Sequence, residues 1–384
     1  MNRPSLLWRF CVETCCILII AALSFQVGTS TLKNWHGPAG SLTNDLFIPA
    51  IMINAGHGFS NVNPNTVPEL HAFLNFQSPE FNIQHLPEDF KPVPLHPYQE
   101  FHRYLVYSVA LAWHIHGVNW DAVILLLLVY LFLAGLGVYG ICRLAMHPLL
   151  ALPVAIAFLY TPEVTTTLPV LRDFAKAPFI LGTAFFLGAI VFKKNTPTRF
   201  LIHVAVIGML LGFGMGFRRD VMIFLPISAI FLFFGTIRAS RFALCIKIVS
   251  VLLLATLFVA TGWPVHKSLM RSGYLAAHDT IMGFSSYSDH ELELVHPASY
   301  EKHYLLNDMY STIKAHYAAG MGATVPKETY QKRAAEPDFD FEIKRAYVQK
   351  IITTFPADMI ARAYAAVLSA TCGADQTPFG LKKF

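Results

Sequence analysis

Seven apolar segments, each approaching the thickness of a bilayer, restrict the fold of this sequence more than any other feature. They cover residues 8–28, 120–141, 149–165, 177–192, 200–217, 221–236 and 243–262. A transmembrane helix needs about 20 apolar residues, and charged residues make up only 14% of the chain, against roughly a quarter in a soluble domain. We therefore predict an all-α polytopic membrane protein with about seven transmembrane helices.

The basic residues between these segments predict the orientation. With the N-terminus inside, the inner segments carry arginine and lysine but no acid, and Glu13 is the only acid outside the outer segments and outer helix ends. We expect a multi-pass protein of a bacterial inner membrane, with a cytoplasmic N-terminus and an external C-terminus. Residues 8–28 also resemble a signal peptide, because Arg3 and Arg9 precede the apolar run. The lack of a clear cleavage site favours a retained span.

The spans divide the chain into four parts: a first transmembrane helix (1–28), a first outer loop (29–119), a six-helix transmembrane region (120–262) and a mixed outer C-terminal segment (263–384). In the first outer loop, residues 46–54 and 96–117 read as helices lying at the membrane interface, ended by Gly56 and Gly117. The proline-rich stretch between them, residues 64–97, predicts little regular structure. In the C-terminal segment, residues 351–368 form a further amphipathic candidate.

Three charged groups are predicted to meet at the outer face. Asp45 heads the first interfacial helix, Arg172-Asp173 lie in "TLPVLRDFAKAPF", and Arg218-Arg219-Asp220 lie in "GFGMGFRRDVMIFLP". Ionisable groups near the hydrocarbon boundary are functional candidates. Guanidinium groups bind phosphate in bidentate fashion, and a carboxylate can take a proton from a hydroxyl nucleophile.

The order of these pieces resembles the GT-C superfamily of membrane glycosyltransferases, which includes protein O-mannosyltransferases and lipid A aminoarabinose transferases. The resemblance covers residues 8–265: an acid before "AIMINAGHG", a proline-rich stretch leading to "PLHPYQEFHRYL", an acid in the loop after the third span, and a "G-x-x-x-G-F-R" span end. It departs from the family at Asn44-Asp45, where many members carry two acids, and in stopping at Phe384 after fewer spans.

The resemblance implies a sugar transferase that acts with inversion on a polyprenyl-phosphate sugar donor and a hydroxyl acceptor in the lipid bilayer. It implies Asp45 as catalytic base and Asp173 as a second acid that positions the acceptor or a metal. Arg218 and Arg219 would hold the carrier phosphate, with Arg172 as a partner. His278 and Asp279 could complete the site from the C-terminal segment, and dependence on a divalent metal stays open.

The same residues also have simpler, structural interpretations. Asp45 could only stabilise a helix N-terminus, which favours negative charge by about 0.3–1 kcal/mol. Arg218 and Arg219 could be interfacial anchors, Asp173 could neutralise Arg172 or Lys176, and Asp220 is expected to pair with its neighbouring arginines. The alternatives for the whole protein are a transporter or flippase for a lipid-linked or anionic substrate, and a non-catalytic membrane subunit. No nucleic-acid-binding patch is present in the sequence.

Overall fold

The computed structural model describes residues 6–38, 45–87, 89, 91–235, 237 and 243–272, with isolated positions at 349, 353, 356 and 357. The chain divides into two compact units, Met1–Ser268 and Leu269–Phe384. Across the described ranges the chain is mostly helical and forms no β-strand, which confirms the all-α prediction at this level. The amphipathic helix predicted for residues 351–368 lies mostly outside the described residues.

The helices of the described part are numbered here in chain order. They are α1 (Leu6–Thr31), α2 (Ile48–Asn54), α3 (Pro68–Leu74), α4 (Pro97–Phe101), α5 (Arg103–His116), α6 (Trp120–Arg143), α7 (Pro148–Leu159), α8 (Pro162–Thr167), α9 (Leu171–Phe174), α10 (Ala177–Phe192), α11 (Pro197–Met215), α12 (Phe224–Phe234) and α13 (Ala243–Ser272).

Within the described residues, five helical stretches are long and apolar enough to cross a membrane: Phe10–Thr31, Trp120–Arg143, Leu171–Phe192, Pro197–Met215 and Ala243–Met270. These match five of the seven predicted spans. The other two predicted spans are helices of 12 and 11 residues, α7 and α12. A turn and Pro162 separate α7 from α8, and a 3-10 turn at Arg219–Ile223 precedes α12.

Glu13 ties α1 to α6. The Tyr139 hydroxyl donates to Glu13 Oε2 at 2.5 Å, and Arg143 Nε donates to Glu13 Oε1 at 2.9 Å. A carboxylate within an apolar helix is costly unless it is paired. The pairing therefore explains why the only predicted inner-side acid is tolerated, and it places the first half of α1 beside the end of α6.

α11 and α13 approach each other closely because α11 presents glycine to its neighbour. A Cβ added to Gly208 would lie 2.9 Å from the Leu254 carbonyl oxygen, and one added to Gly212 would lie 2.6 Å from that of Phe258. Without a hydrophobic force between helices in lipid, such backbone approach is a main source of their association. The spacing of the two helices therefore requires glycine at positions 208 and 212.

The first outer loop is packed around an aromatic core. The Trp120 ring, at the start of α6, stacks on the Phe73 ring of α3 at 5.1 Å between centroids, and Trp113 of α5 and Phe47 lie edge-on to Trp120. The indole N–H of Trp120 also donates to the Phe73 carbonyl. Aromatic pairs of this kind add about 0.5–1.5 kcal/mol each beyond the burial of their area, so the loop is fixed to a membrane helix.

Two expectations for this loop are wrong. The apolar side chains of residues 46–52 do not enter the interface, because protein covers them: Leu46, Phe47, Ile51 and Met52 are at most 1% exposed. The stretch 64–97 is not irregular throughout, since a 3-10 turn and the helices α3 and α4 begin at Pro64, Pro68 and Pro97. Proline suits the first helical position, where its missing N–H is not needed.

We predict that Gly212→Ala loosens the α11–α13 pair. The added methyl group would overlap the Phe258 carbonyl oxygen and the Thr261 side chain, and such overpacking costs about 1–3 kcal/mol. Thermal unfolding of the detergent-solubilised protein should show a lowered midpoint. Gly182→Ala on α10 is the matched control, because its methyl group would meet only the flexible Leu210 side chain at 3.2 Å. Equal midpoints for both variants would contradict the prediction.

Candidate functional site

The segment predicted as one helix over 96–117 is two helices that break at His102. The backbone N–H groups of Tyr104 and Leu105 donate to the Gly216 carbonyl, at the end of α11, at 3.1 and 3.3 Å. The first N–H groups of a helix need partners outside it, and here Gly216 supplies one. Residues 101–105, called the elbow from here on, are therefore bound to a membrane helix.

Asp45 opens a 3-10 turn that leads into α2, and its side chain is exposed. Gln99 of α4 holds its backbone: Gln99 Nε2 donates to the Asp45 carbonyl at 2.7 Å. Gln99 is buried and its Oε1 accepts from the His96 N–H at 2.9 Å. Burial lowers the pKa of His96, and the charge of the Asp45 carboxylate opposes that shift. The carboxylate thus projects from a backbone that is fixed to α4.

Asp173 joins two of the predicted arginines. Its Oδ1 accepts from Arg172 Nε at 2.9 Å and also from Arg218 Nη1. Arg172 Nη1 in turn donates to the Tyr98 hydroxyl of α4. Asp173 therefore neutralises Arg172 as expected. It also binds Arg218, just beyond the end of α11.

Asp220 continues the network. Its Oδ2 accepts from Arg218 Nε at 3.1 Å and from Lys176 Nζ, so the predicted pairing of Asp220 with a neighbouring arginine is confirmed. The side chains concerned are about a quarter to a third exposed, which weakens each pair by solvent screening. Among the described residues the network unites three cations with two carboxylates and keeps one net positive charge.

Two further arginines stack on aromatic rings at the elbow. The Arg219 guanidinium carbon lies 4.9 Å from the centre of the Phe101 ring, and that of Arg103 lies 4.5 Å from the centre of the Phe59 ring. Stacking holds a guanidinium group in place through the ring quadrupole. The N–H groups of a guanidinium group lie in its own plane, so a ring on its face does not occupy them.

His102 lies at the junction of α4 and α5. It is 5% exposed, its Nδ1 donates to the Tyr98 carbonyl at 2.9 Å, and its ring lies 4.4 Å from the Tyr98 ring. Burial lowers the pKa of His102 to about 4, and the charges of Arg172, Arg219 and Arg218 act in the same direction. The imidazole is therefore neutral at physiological pH.

The structure brings the three predicted charged groups to one short helix. Consecutive residues of α4, Tyr98 and Gln99, contact Arg172 and the Asp45 backbone, and the ion pairs of Asp173 and Asp220 add Arg218. Arg219 stacks on the last residue of α4. His278 and Asp279 lie outside the described residues. Tyr98, His102 and Arg103 were not predicted as site residues, although "HPYQEFHRY" has many polar and aromatic groups for an apolar helix.

Two other features were considered as sites. In the described part of the chain, His, Cys, Asp and Glu form no group of three that could hold a metal ion. A cleft of about 590 Å³ opens at the start of α6, lined in part by Glu80, His116 and Asp121. None of the predicted site residues lines this cleft.

Comparison with models of known protein families, with curated proteins and with solved structures finds no match for this chain.

We predict that His102 makes the free energy of unfolding decrease as the pH falls. Because its folded-state pKa lies near 4, below the ordinary 6.5, the unfolded chain takes up the proton first as the pH falls. The contribution is fully present above about pH 6.5 and is lost towards pH 4, by at most about 3 kcal/mol. Unfolding midpoints measured from pH 7.5 to 4.5 should fall less in His102→Asn, which keeps a donor but cannot titrate.

The exposed His116 provides the control, since His116→Asn should keep the wild-type pH dependence. An equal fall in the wild type and in His102→Asn would show that other groups cause the loss.

Proposed function

We propose that the chain crosses the membrane seven times, with the Asp45 end outside. The supporting contacts alternate between two ends of the bundle. At one end Arg143 binds Glu13, and Lys193 donates to the Leu144 carbonyl. At the other end Trp35 donates to the Pro169 carbonyl and Arg172 binds Tyr98.

The two short helices fit this path. Residues 148–167, which contain α7 and α8, lead from the Arg143 end to Pro169. At 1.5 Å per residue, the two helices extend about 18 and 9 Å. Residues 219–237 lead back from the arginine network to a bridge between Ile237 and Asn195. The Arg143 end is also rich in basic residues, which supports a cytoplasmic location for it. A bacterial inner membrane accommodates such a protein.

Labelling of single cysteines in a cysteine-free background tests this topology. A membrane-impermeant maleimide should label Thr166→Cys in cells with a permeabilised outer membrane, and should label Lys194→Cys only after the inner membrane is opened. Both positions are exposed. Labelling of Thr166→Cys only after lysis would mean that α7 does not cross, and would contradict the seven-span arrangement.

We further propose that the protein is an inverting sugar transferase that uses a polyprenyl-phosphate sugar. The observation that carries this proposal is the contact of Tyr98 and Gln99, adjacent on α4, with Arg172 and with the Asp45 backbone. It is supported by an exposed carboxylate and a cluster of guanidinium groups brought to one helix. Such a pairing suits a reaction in which a hydroxyl loses a proton and a phosphate leaves.

In the proposed reaction, the Asp45 carboxylate takes the proton of the acceptor hydroxyl. The hydroxyl oxygen forms a bond to the anomeric carbon, and the bond from that carbon to the phosphate oxygen breaks, so that its electron pair leaves with the lipid phosphate. Arg218, Arg219 and Arg172 would bind the departing phosphate. It is already charged and needs no general acid, which fits a site with one base and several cations.

The ion pairs refine the role of the second acid. Arg172 and Arg218 share Asp173, so Asp173 acts in this proposal as the group that holds both arginines in place. A phosphate that arrives competes with a carboxylate for their donors. This scheme does not need Asp173 to position a metal.

Replacement of the proposed base tests the chemistry. Asp45→Asn should lower the rate of sugar transfer by about 10²–10⁴-fold, the usual contribution of a general base, while the unfolding midpoint stays unchanged because the side chain is exposed. Transfer is measured with radiolabelled polyprenyl-phosphate sugars and the purified protein in lipid. Glu80→Gln, at another exposed acid of the same loop, should retain activity.

Near-wild-type transfer by Asp45→Asn would remove Asp45 as the base. Movement of a lipid-linked sugar across liposomes by the wild type and by Asp45→Asn alike, with no transfer, would favour the transporter or flippase. Neither activity in the wild type would favour a non-catalytic subunit.

A further inference from the structure

Arg103 differs from the arginines of the ion-pair network. Arg172 and Arg218 each bind a carboxylate, whereas in the described part of the chain no carboxylate lies within ion-pair distance of Arg103. Its Nε is buried and has no hydrogen-bond partner among those residues. A buried donor without a partner costs about 1–3 kcal/mol, so an acceptor from outside the chain would stabilise this position.

The surroundings of Arg103 hold its guanidinium group still. Phe59 lies under it, and the Phe59 ring also contacts the Tyr107 ring at 5.4 Å between centroids. Phe59 is presented by a loop with Gly56 and Gly58 at positive φ, a conformation that glycine adopts without strain. The hydroxyl of Ser60, next to Phe59 in sequence, is likewise buried, with no hydrogen-bond partner in the described part of the chain. Arg103 Nε and Ser60 Oγ are thus two buried polar atoms of this region that have no partner among the described residues.

The face of α5 that begins at Arg103 is otherwise apolar and uncovered. Tyr107, Leu111 and Ile115 follow at intervals of four residues, which places them on the same side of the helix, and they are 41%, 61% and 64% exposed. The opposite face, with Leu105, Val109 and Trp113, is buried in the protein. A helix face with an arginine at its start and apolar side chains after it is complementary to a lipid, whose phosphate group is followed by an apolar chain.

We propose that Arg103 binds the phosphate of a lipid headgroup, whose acyl or prenyl chain lies along Tyr107, Leu111 and Ile115. The guanidinium N–H groups would donate to the phosphate oxygens in bidentate fashion, as guanidinium groups commonly do with phosphate. The lipid phosphate takes the place that a carboxylate has beside Arg172 and Arg218. That the lipid is the carrier of the sugar donor rests on the proposed function; the phosphate contact does not.

Direct binding to the full-length protein in detergent tests the contact. The probes are a polyprenyl monophosphate, phosphatidylglycerol and inorganic phosphate, each titrated against the wild type and Arg103→Gln. Loss of a hydrogen bond to a charged group corresponds to roughly tenfold or more in Kd, and we expect that weakening for the polyprenyl phosphate. Arg199→Gln, which removes an exposed arginine at the other end of the bundle, should bind as the wild type does.

The source of the phosphate is distinguished by the other probes. Leu111→Gln should also weaken lipid binding, because the chain would lose its apolar contact. If Arg103→Gln weakens the binding of phosphatidylglycerol as much as that of polyprenyl phosphate, the phosphate contact is kept. That result would overturn the idea that the site takes only the sugar carrier. Binding of inorganic phosphate as tight as that of the lipid, and unaffected by Leu111→Gln, would overturn the lipid assignment.

Unchanged lipid binding in a folded Arg103→Gln would overturn the proposal. If that variant does not fold, Arg103→Lys and Phe59→Leu replace it: the first keeps the charge but loses the planar fork, and the second removes the ring beneath it. Each should weaken lipid binding several-fold, and wild-type binding by both would exclude the contact.

The two proposals fail separately. Asp45→Asn should abolish transfer and leave lipid binding intact. A wild type that binds lipid through Arg103 but transfers no sugar would refute only the transferase. A wild type that transfers sugar, with unchanged binding in Arg103→Gln, would refute only the Arg103 contact.

Discussion

The stack of Trp120 on Phe73 is the contact on which the half of this protein that carries Asp45 depends. It joins the first residue of a membrane helix to the loop that carries Asp45, and Trp113 and Phe47 pack around it. A surface loop with many prolines would otherwise gain little from ordering, since each fixed residue costs about 1–2 kcal/mol of backbone entropy. With its aromatic side chains buried on α6, the loop can hold α2, α4 and α5 in fixed positions.

The charges at the same end follow a second rule, that cations near the hydrocarbon boundary require partners. Asp173 and Asp220 meet this need for Arg172, Arg218 and Lys176, while Phe101 and Phe59 lie under Arg219 and Arg103. A carboxylate compensates the charge of an arginine directly, whereas an aromatic ring attracts the guanidinium group through its quadrupole. The arginines of this end are therefore held in place by two kinds of partner, carboxylates and aromatic rings.

Much of this arrangement was accessible from the sequence, because hydropathy and charge are local properties. Five of the predicted spans, the end of α5 at Gly117 and the pairing of Asp173 and Asp220 with arginines agree with the structure. The burial of residues 46–52 was missed because an apolar side chain reads the same whether lipid or protein covers it. The break at His102 was missed because its cause, the Gly216 carbonyl, lies more than a hundred residues further along the chain. The role of Arg103 could not be predicted from sequence spacing, because the aromatic ring beneath it, Phe59, lies 44 residues earlier in the chain.

The bond of the elbow to Gly216 has a mechanical consequence. The Gly216 carbonyl accepts from two N–H groups of α5, and a Cβ at this position would overlap the Tyr104 ring, so the end of α11 and the start of α5 fit together without slack. An axial shift of α11 would be transmitted to α5 and to the aromatic-stacked arginines beside it. Movement of either helix alone would break both of these hydrogen bonds, so we expect the two helices to move together about this joint.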